Sequence, residues 1–134
     1  MEPDKPKIIR VRDVMHKGII SIDGMATTRE AVKKMKDNNV FSLLVNKRDA
    51  DDAWGILVSQ DIVKGAILPG RSLDEVNVYE VMTKPVITVP ADMDIRYAVR
   101  LIYRAGIRRA PVEEKGELVG MISLISLILD ENVF

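Results

Sequence analysis

The chain has 134 residues, of which 47% are apolar and 30% charged, and its 20 Lys and Arg residues are balanced by 20 Asp and Glu residues. This composition is typical of one compact globular domain, and a formal net charge of zero argues against nucleic-acid or membrane binding through bulk charge. The sequence contains no cysteine, which excludes disulfides, thiolate metal sites and thiol nucleophiles.

Two segments bear on the location of the protein. The longest apolar stretch, 118–129, is interrupted by Gly120, Ser123 and Ser126 and is shorter than the roughly 20 residues of a membrane-spanning helix. The first ten residues carry two acids and two prolines, where a secretory signal has an apolar core. We therefore expect no transmembrane span and a cytoplasmic protein.

The sequence repeats itself at an offset of 67 residues. Nine of the 35 positions from 11 to 45 recur identically in register, whereas composition alone gives about two or three matches. After Val45 the offset falls to 65, because the turn 46–54 is two residues longer than the turn 113–119. The sequence thus predicts an N-terminal tail (1–10), a first repeat (11–68), a linker (69–77) and a second repeat (78–134).

The first repeat predicts a strand, a helix, two strands and a helix. The β-branched run 19–22 predicts the lead strand, and Thr27 followed by Glu30 predicts a capping box at the start of the first helix. Asn38-Asn39 ends that helix, and the strands 41–45 and 54–58 follow. The apolar face of the first helix is predicted to be Thr28, Ala31, Val32 and Met35, and that of the second Ile62, Val63, Ala66 and Ile67.

The second repeat predicts the same elements in the same order. Its lead strand is predicted at 86–89, and Asp92 or Asp94 caps the helix that follows. Gly106 suits the left-handed residue after a helix end, and the strands 110–113 and 118–122 pair across residues 114–116. The apolar faces of its two helices are predicted to be Ile95, Ala98, Val99 and Ile102, and Leu124, Ile125, Ile128 and Leu129.

The elements predict an α+β or α/β fold made of two β-α-β-β-α repeats. A repeat of roughly 55 to 60 residues buries too little surface to be stable alone. We therefore expect the two repeats to pack sheet to sheet about a pseudo-twofold axis. This arrangement leaves two equivalent clefts, which are typical sites for small ligands.

The ordered motifs of the two repeats resemble those of tandem cystathionine-β-synthase-type (CBS) domains, the CBS pair or Bateman module. These motifs are VRDVM at 11–15, VYEVMTKP at 78–85, GIRRAPV at 106–112, GILVSQDIV at 55–63 and GMISLISLI at 120–128. The resemblance covers about 11–129. It implies a non-catalytic regulatory module that needs no cofactor and binds an adenosine compound: AMP, ADP, ATP, S-adenosylmethionine or NAD.

In this family a glycine, two apolar residues, Thr or Ser, two further residues and Asp or Asn form the ribose motif. The first repeat has Val58 in place of the hydroxyl residue and keeps the carboxylate as Asp61, whereas the second keeps Ser123 and has Ser126 in place of the carboxylate. Asp61 either contacts the ribose or only suits the helix dipole. Ser59 either replaces the missing hydroxyl or caps the helix that follows.

The resemblance makes Arg108 and Arg109 the candidates for phosphate binding. Neighbours on a strand point to opposite faces, so we expect only one of them to reach a ligand. The first repeat has Phe41 and Ser42 at the equivalent places. Positive charge for a phosphate must therefore come from the second repeat.

The adenine slots are predicted along the lead strands. Their candidate lining residues are Ile19, Ile20, Val86 and Ile87, which are otherwise ordinary core positions. Thr83 lies at the mouth of the pocket and aligns with His16, which we interpret as a surface residue. Trp54 is interpreted as a core or dimer contact.

Three functions compete on these grounds. The leading hypothesis is an adenine-nucleotide sensor that signals to an unidentified protein partner. The alternative is a structural or interaction module with degenerate pockets. An enzyme is disfavoured, because the sequence has one histidine and no recognisable acid/base pair. We also expect a homodimer, with candidate contacts at Ile67, Leu68, Leu127, Leu129 and Phe134.

Overall fold

The computed structural model describes residues 7–134, which form a mixed α+β fold with two three-stranded sheets. The elements in chain order are α1 (Val11–Val14), β1 (Ser21–Ile22), α2 (Thr28–Asn38), β2 (Ser42–Val45), β3 (Gly55–Val58), α3 (Ser59–Ile62), a π-helical turn (Val63–Ile67), α4 (Val78–Val81), β4 (Val89–Pro90), α5 (Ile95–Arg104), β5 (Arg109–Glu114), β6 (Glu117–Ser123) and α6 (Leu124–Leu129). The predicted α+β class and the predicted order of elements within each repeat are confirmed.

The contacts divide the chain into two units that do not coincide with the sequence repeats. The central unit is Ile19–Val86, and the terminal unit combines the segment that ends at Gly18 with Ile87–Phe134. Val11 of the first repeat is fully buried in the core of the terminal unit, and Val78 of the second repeat is fully buried in the core of the central unit. Each repeat therefore contributes its leading helix to the other repeat's unit.

The central unit contains the sheet β1-β2-β3. Strand β1 pairs with β2 in parallel, and β2 pairs with β3 in antiparallel register, with Ser42 opposite Val58. Helix α2 begins with the predicted capping box, in which Glu30 N–H donates to Thr27 Oγ1 at 3.1 Å. Its buried stripe is Thr28, Ala31 and Met35. The predicted face was wrong at Val32, which is 40% exposed because it lies beside this narrow stripe.

The terminal unit contains the sheet β4-β5-β6. Strand β4 pairs with β5 in parallel, and β5 pairs with β6 in antiparallel register. Lys115 and Gly116 form the hairpin turn with φ of 53° and 81°, as a two-residue turn with both φ positive requires. Asp94 caps α5 by accepting from Arg96 N–H at 2.9 Å.

The lead strands are shorter than predicted, and the second is displaced. The predicted strand 86–89 is observed as Val89–Pro90, because Val86 N–H donates instead to Trp54 O of the central unit at 2.9 Å. The predicted strand 19–22 is reduced to Ser21–Ile22, although Ile20 O still accepts from Leu44 N–H at 2.9 Å.

The predicted apolar faces of the closing helices were partly wrong. The π-helical turn buries Ala66 but leaves Ile67 55% exposed. Helix α6 buries Leu127, whereas Ile128 and Leu129 are 68% and 73% exposed. The six residues of α6 begin directly after β6, so the end of that strand decides which side faces the sheet. Leu127, being 2% exposed, is therefore not available as a surface contact for a dimer.

Between residues 7 and 134, none of the helices combines the length and the apolar character needed to cross a bilayer.

Candidate functional site

In each unit a short segment forms an isolated antiparallel β-bridge with the last strand of the sheet. The bridge lies next to the first glycine of the ribose motif, which is Gly55 in the central unit and Gly120 in the terminal unit. In the terminal unit His16 and Met121 exchange two backbone hydrogen bonds, each of 2.9 Å. In the central unit Thr83 and Ile56 exchange two bonds of the same length. We call residues 15–18 and 82–86 the crossing segments. Each crossing segment hydrogen-bonds through its backbone to a strand that is followed directly by a helix, α3 after β3 and α6 after β6. We call α3 and α6 the ribose-motif helices.

The close approach of these segments explains the motif glycines. A β-carbon on Gly120 would lie 2.7 Å from His16 O and 2.8 Å from Met15 Sδ. A β-carbon on Gly55 would lie 3.1 Å from Met82 Sδ and 3.3 Å from Thr83 O. A side chain at Gly120 would therefore clash with the backbone of the crossing segment, whereas one at Gly55 would require only a small shift of Met82.

The terminal unit gathers two arginines and two hydroxyls at the end of its hairpin. Arg109 lies opposite Ser123 in the β5–β6 register. Ser123 caps α6, because its Oγ accepts from Ser126 N–H at 3.2 Å and its hydroxyl donates to Ser126 Oγ at 2.7 Å. Arg108 is exposed, and its backbone oxygen accepts from Leu124 N–H at 2.9 Å.

No acidic side chain within residues 7–134 serves as a counter-ion for the guanidinium of Arg109. Burial lowers the pKa of Arg109, and the neighbouring charge of Arg108 lowers it further. Within residues 7–134 neither arginine side chain forms an ion pair or a hydrogen bond. This corner therefore presents uncompensated positive charge beside hydroxyl groups, which is the environment an anionic group requires.

The central unit presents a carboxylate at the equivalent place. Asp61 Oδ2 accepts from Val58 N–H at 2.9 Å. Burial raises the pKa of Asp61, while the Val58 N–H and the charge of Lys64 act in the opposite direction. Its other oxygen has no hydrogen-bond partner within the described part of the chain. The predicted capping by Ser59 was wrong: Val58 is the N-cap residue and Ser59 the first residue of α3.

The predicted site residues divide between the two units. The central unit holds Ile19, Ile20, Val58, Ser59, Asp61, Thr83 and Val86, and the terminal unit holds Ile87, Arg108, Arg109, Ser123 and Ser126. Thr83 belongs to the second repeat in sequence, but its crossing segment joins β3, the strand that leads to Asp61. Ile87 is 43% exposed.

The sequence did not predict an ion pair that joins the central crossing segment to the β2–β3 turn. Lys84 Nζ lies 2.6 Å from Asp52 Oδ1, and Arg48 N–H donates to Asp52 Oδ2 at 2.9 Å. The bond from Lys84, with the bonds from Arg48, holds the pKa of Asp52 well below its usual range. The available signal was the two-residue excess of the turn that carries Asp52.

A cavity of about 470 Å³ in the terminal unit lies apart from these groups. Its lining residues are Arg12, Thr88, Pro90, Ala91, Asp92, Glu113, Glu114 and Lys115. Arg12 pairs with Glu114 at 3.6 Å, and the Thr88 hydroxyl donates to Glu113 at 3.1 Å. None of the predicted site residues lines it. Residues 7–134 also contain no cluster of three or more His, Cys, Asp or Glu side chains suited to a metal ion.

The chain thus contains the same α+β arrangement twice. Each copy has a three-stranded sheet, a last strand that contains the glycine of the ribose motif, and a crossing segment bonded to that strand. The CBS domain model matches residues 11–67 and 78–129, so the chain belongs to the CBS domain family and carries two such domains.

Comparison with individual proteins agrees with this assignment. The chain is 31% identical over 121 residues to the uncharacterized protein MK0525 of Methanopyrus kandleri, a match that covers 90% of this chain and 61% of that relative's length. The hexameric CBS-CP12 protein from bloom-forming cyanobacteria superposes with a TM-score of 0.89 at 32% identity, covering 95% of this chain and 70% of that one. The CBS domain protein PAE2072 from Pyrobaculum aerophilum, solved in complex with AMP, has the same fold, with a TM-score of 0.82 at 24% identity and coverage of 93% and 95%.

Proposed function

We propose that this chain is a regulatory module that binds an adenine nucleotide through the polar groups at the ribose-motif helices of its two units. The observation that carries the proposal is the half-buried guanidinium of Arg109, which lies opposite Ser123 and has no counter-ion in the described part of the chain. A phosphate would supply the missing negative charge through charge-assisted hydrogen bonds, which are roughly twice as strong as neutral ones. Arg109 is preferred over Arg108, because the latter is exposed and water already solvates its charge.

The central unit supplies the acceptor for a ribose. Asp61 uses one carboxylate oxygen for the Val58 N–H and keeps the other for a sugar hydroxyl. In the central unit the base is assigned to Ile19, Ile20 and Val86, with Thr83 as a further contact, and in the terminal unit it is assigned to Ile87. The hydroxyls of Ser59, Ser123 and Ser126 are further ligand contacts in this proposal, and Val58 lines the first ribose motif.

AMP is the first ligand to test, because a protein of the same fold was solved with it. The test is a thermal-shift screen of AMP, ADP, ATP, S-adenosylmethionine and NAD. A ligand at 100 times its dissociation constant should stabilise the chain by about 2.7 kcal/mol. AMP should raise the midpoint of thermal unfolding more than adenosine does, because only AMP has a phosphate to bind Arg109. If all five ligands leave the midpoint unchanged, the nucleotide proposal is wrong.

The second candidate function is a non-catalytic protein-interaction module. It is favoured by the exposed apolar side chains Ile67, Leu68, Leu129 and Phe134, which are 55%, 75%, 73% and 68% exposed. The cyanobacterial relative is hexameric, and self-association of this chain as a homodimer would cover such side chains. Both functions include an unidentified protein partner, and only in the first does that partner respond to nucleotide binding.

We predict that Asp61→Ala removes the tighter of two AMP-binding events. An ionised carboxylate can accept from both hydroxyls of a ribose, whereas Ser126 offers one neutral hydroxyl. Asp61→Asn should weaken the same event while it retains an acceptor for the Val58 N–H, and Ser126→Asp should strengthen the weaker event. Calorimetry measures both events.

The control for this prediction is Asp37→Ala, which removes an exposed carboxylate from α2 and should leave both events unchanged. Two identical sites in the unmodified chain, or a tight event that survives Asp61→Ala, would contradict the assignment.

A further inference from the structure

The ion pair of Lys84 and Asp52 is more enclosed than the other ion pairs of residues 7–134. Lys84 Nζ lies 2.6 Å from Asp52 Oδ1 and 2.7 Å from Oδ2. The backbone N–H and Nε of Arg48 donate to Oδ2 at 2.9 Å and 3.1 Å. The side chains of Asp52 and Lys84 are only 7% and 23% exposed. These charge-assisted hydrogen bonds fix the position of the Asp52 carboxylate, and the Asp52 carboxylate in turn fixes the position of the Lys84 ammonium group.

Lys84 lies in the middle of the central crossing segment, whereas Asp52 lies in the β2–β3 turn. On one side of Lys84, Thr83 exchanges two backbone bonds of 2.9 Å with Ile56. On the other side, Val86 N–H donates to Trp54 O at 2.9 Å. Lys84 therefore completes an attachment of the segment to the β2–β3 hairpin at three points, two through the backbone and one through a charged side chain.

The terminal unit lacks this attachment. Lys17 aligns with Lys84 at the offset of 67, but it is exposed and has no ion pair among the described residues. The β5–β6 turn is two residues shorter, and its Glu117, which aligns with Asp52 at the offset of 65, is exposed and forms no ion pair within residues 7–134. The two extra residues of the first turn thus accompany a contact that only the central unit makes.

We propose that Asp52 and Lys84 are positioning residues for the nucleotide site of the central unit. The proposal rests on the proposed function, which assigns Thr83 and Val86 of this segment to the ligand. If the segment already has its binding conformation, the ligand does not have to order it on binding. If only a fraction of the molecules has that conformation, the apparent affinity is lower by that fraction. Removing Asp52 leaves the Lys84 charge partly buried without this counter-ion, and removing Lys84 leaves Asp52 held by Arg48 without a bond to the segment, so that either change releases the segment.

The test uses Asp52→Asn and Lys84→Met, which remove one charge each and retain the size of the side chain, with Lys17→Met as the matched control. Both pair variants should weaken the Asp61-dependent AMP-binding event by about five- to tenfold in calorimetry, as expected if the competent fraction falls to about 0.1–0.2. Lys17→Met should change neither binding event. The double variant Asp52→Asn/Lys84→Met should lose no more affinity than either single variant.

Amide hydrogen exchange by NMR tests the same proposal without a ligand. The Thr83 and Val86 amides should exchange at least fivefold faster in both pair variants, while the Leu44 amide of β2, which reports on the sheet, should not change. Unchanged exchange at Thr83 and Val86, or an equal loss in both AMP-binding events, overturns the proposal. If the unmodified chain binds none of the five adenosine ligands, the proposed function and this nucleotide role fail together, whereas exchange still shows whether the pair orders the segment.

Discussion

Gly120→Ala is expected to destabilise the protein by about 3 kcal/mol, the upper part of the range for overpacking a filled site. The new β-carbon would lie 2.7 Å from His16 O, a backbone atom held by its bond to Met121 N–H. Relief requires the crossing segment to leave β6, which breaks both hydrogen bonds between His16 and Met121. Chemical denaturation measures the change in the free energy of unfolding.

Gly55→Ala is the internal comparison for this result and should cost about 1 kcal/mol. The nearest atom there is Met82 Sδ at 3.1 Å, the end of a flexible side chain that can move aside. Gly24→Ala is the control, because its β-carbon would meet Tyr79 and Val45 at ordinary contact distances of 3.6 Å. Equal destabilisation by the substitutions at Gly120 and Gly55 would contradict the role given to the His16 carbonyl.

Arg109→Ala is expected to weaken AMP binding by about 1.5 to 3 kcal/mol, the range for hydrogen bonds to charged groups. This corresponds to a loss of about 10- to 150-fold in affinity. Arg108→Ala should have little effect, because that side chain is exposed. Arg109→Lys should restore part of the affinity, since it keeps the charge but loses the paired donors of the guanidinium. Calorimetry with AMP measures all three variants.

The same substitution separates binding from stability. Burial disfavours the charged form of Arg109, and no ion pair from residues 7–134 offsets this cost, so Arg109→Ala should leave the free energy of unfolding unchanged or slightly raised. Adenosine should bind Arg109→Ala as well as it binds the unmodified chain, because it lacks the phosphate. Equal losses for AMP and adenosine, or no loss in either arginine variant, would contradict the phosphate assignment.

Local features of the fold were predictable because their partners lie close in sequence. The capping box of Thr27 and Glu30 spans three residues, and the left-handed ends at Asn39 and Gly106 need only a residue that tolerates positive φ. The duplication was visible as identities in register. The tandem CBS class therefore follows from the sequence by itself.

Features that depend on distant partners required the tertiary structure. The closing helices have apolar residues on several sides, so only their attachment to the sheet decided that Leu127 is buried and Leu129 exposed. The N-cap position of α3 was missed because Val58 has no side-chain acceptor, and the contact that marks it is the bond from Val58 N–H to the side chain of Asp61. In both cases the local pattern fits more than one arrangement.

The sequence by itself determined the repeated elements, the CBS class and the residue types available for a nucleotide. The tertiary structure decided how those residues are grouped. It joined Val11 to the second repeat and Val78 to the first, and it brought Lys84 to Asp52 across 32 positions of the chain. Such contacts depend on how distant segments of the chain pack together. A periodic pattern of apolar residues predicts which face of a helix or strand is buried, but it does not predict which segment packs against that face.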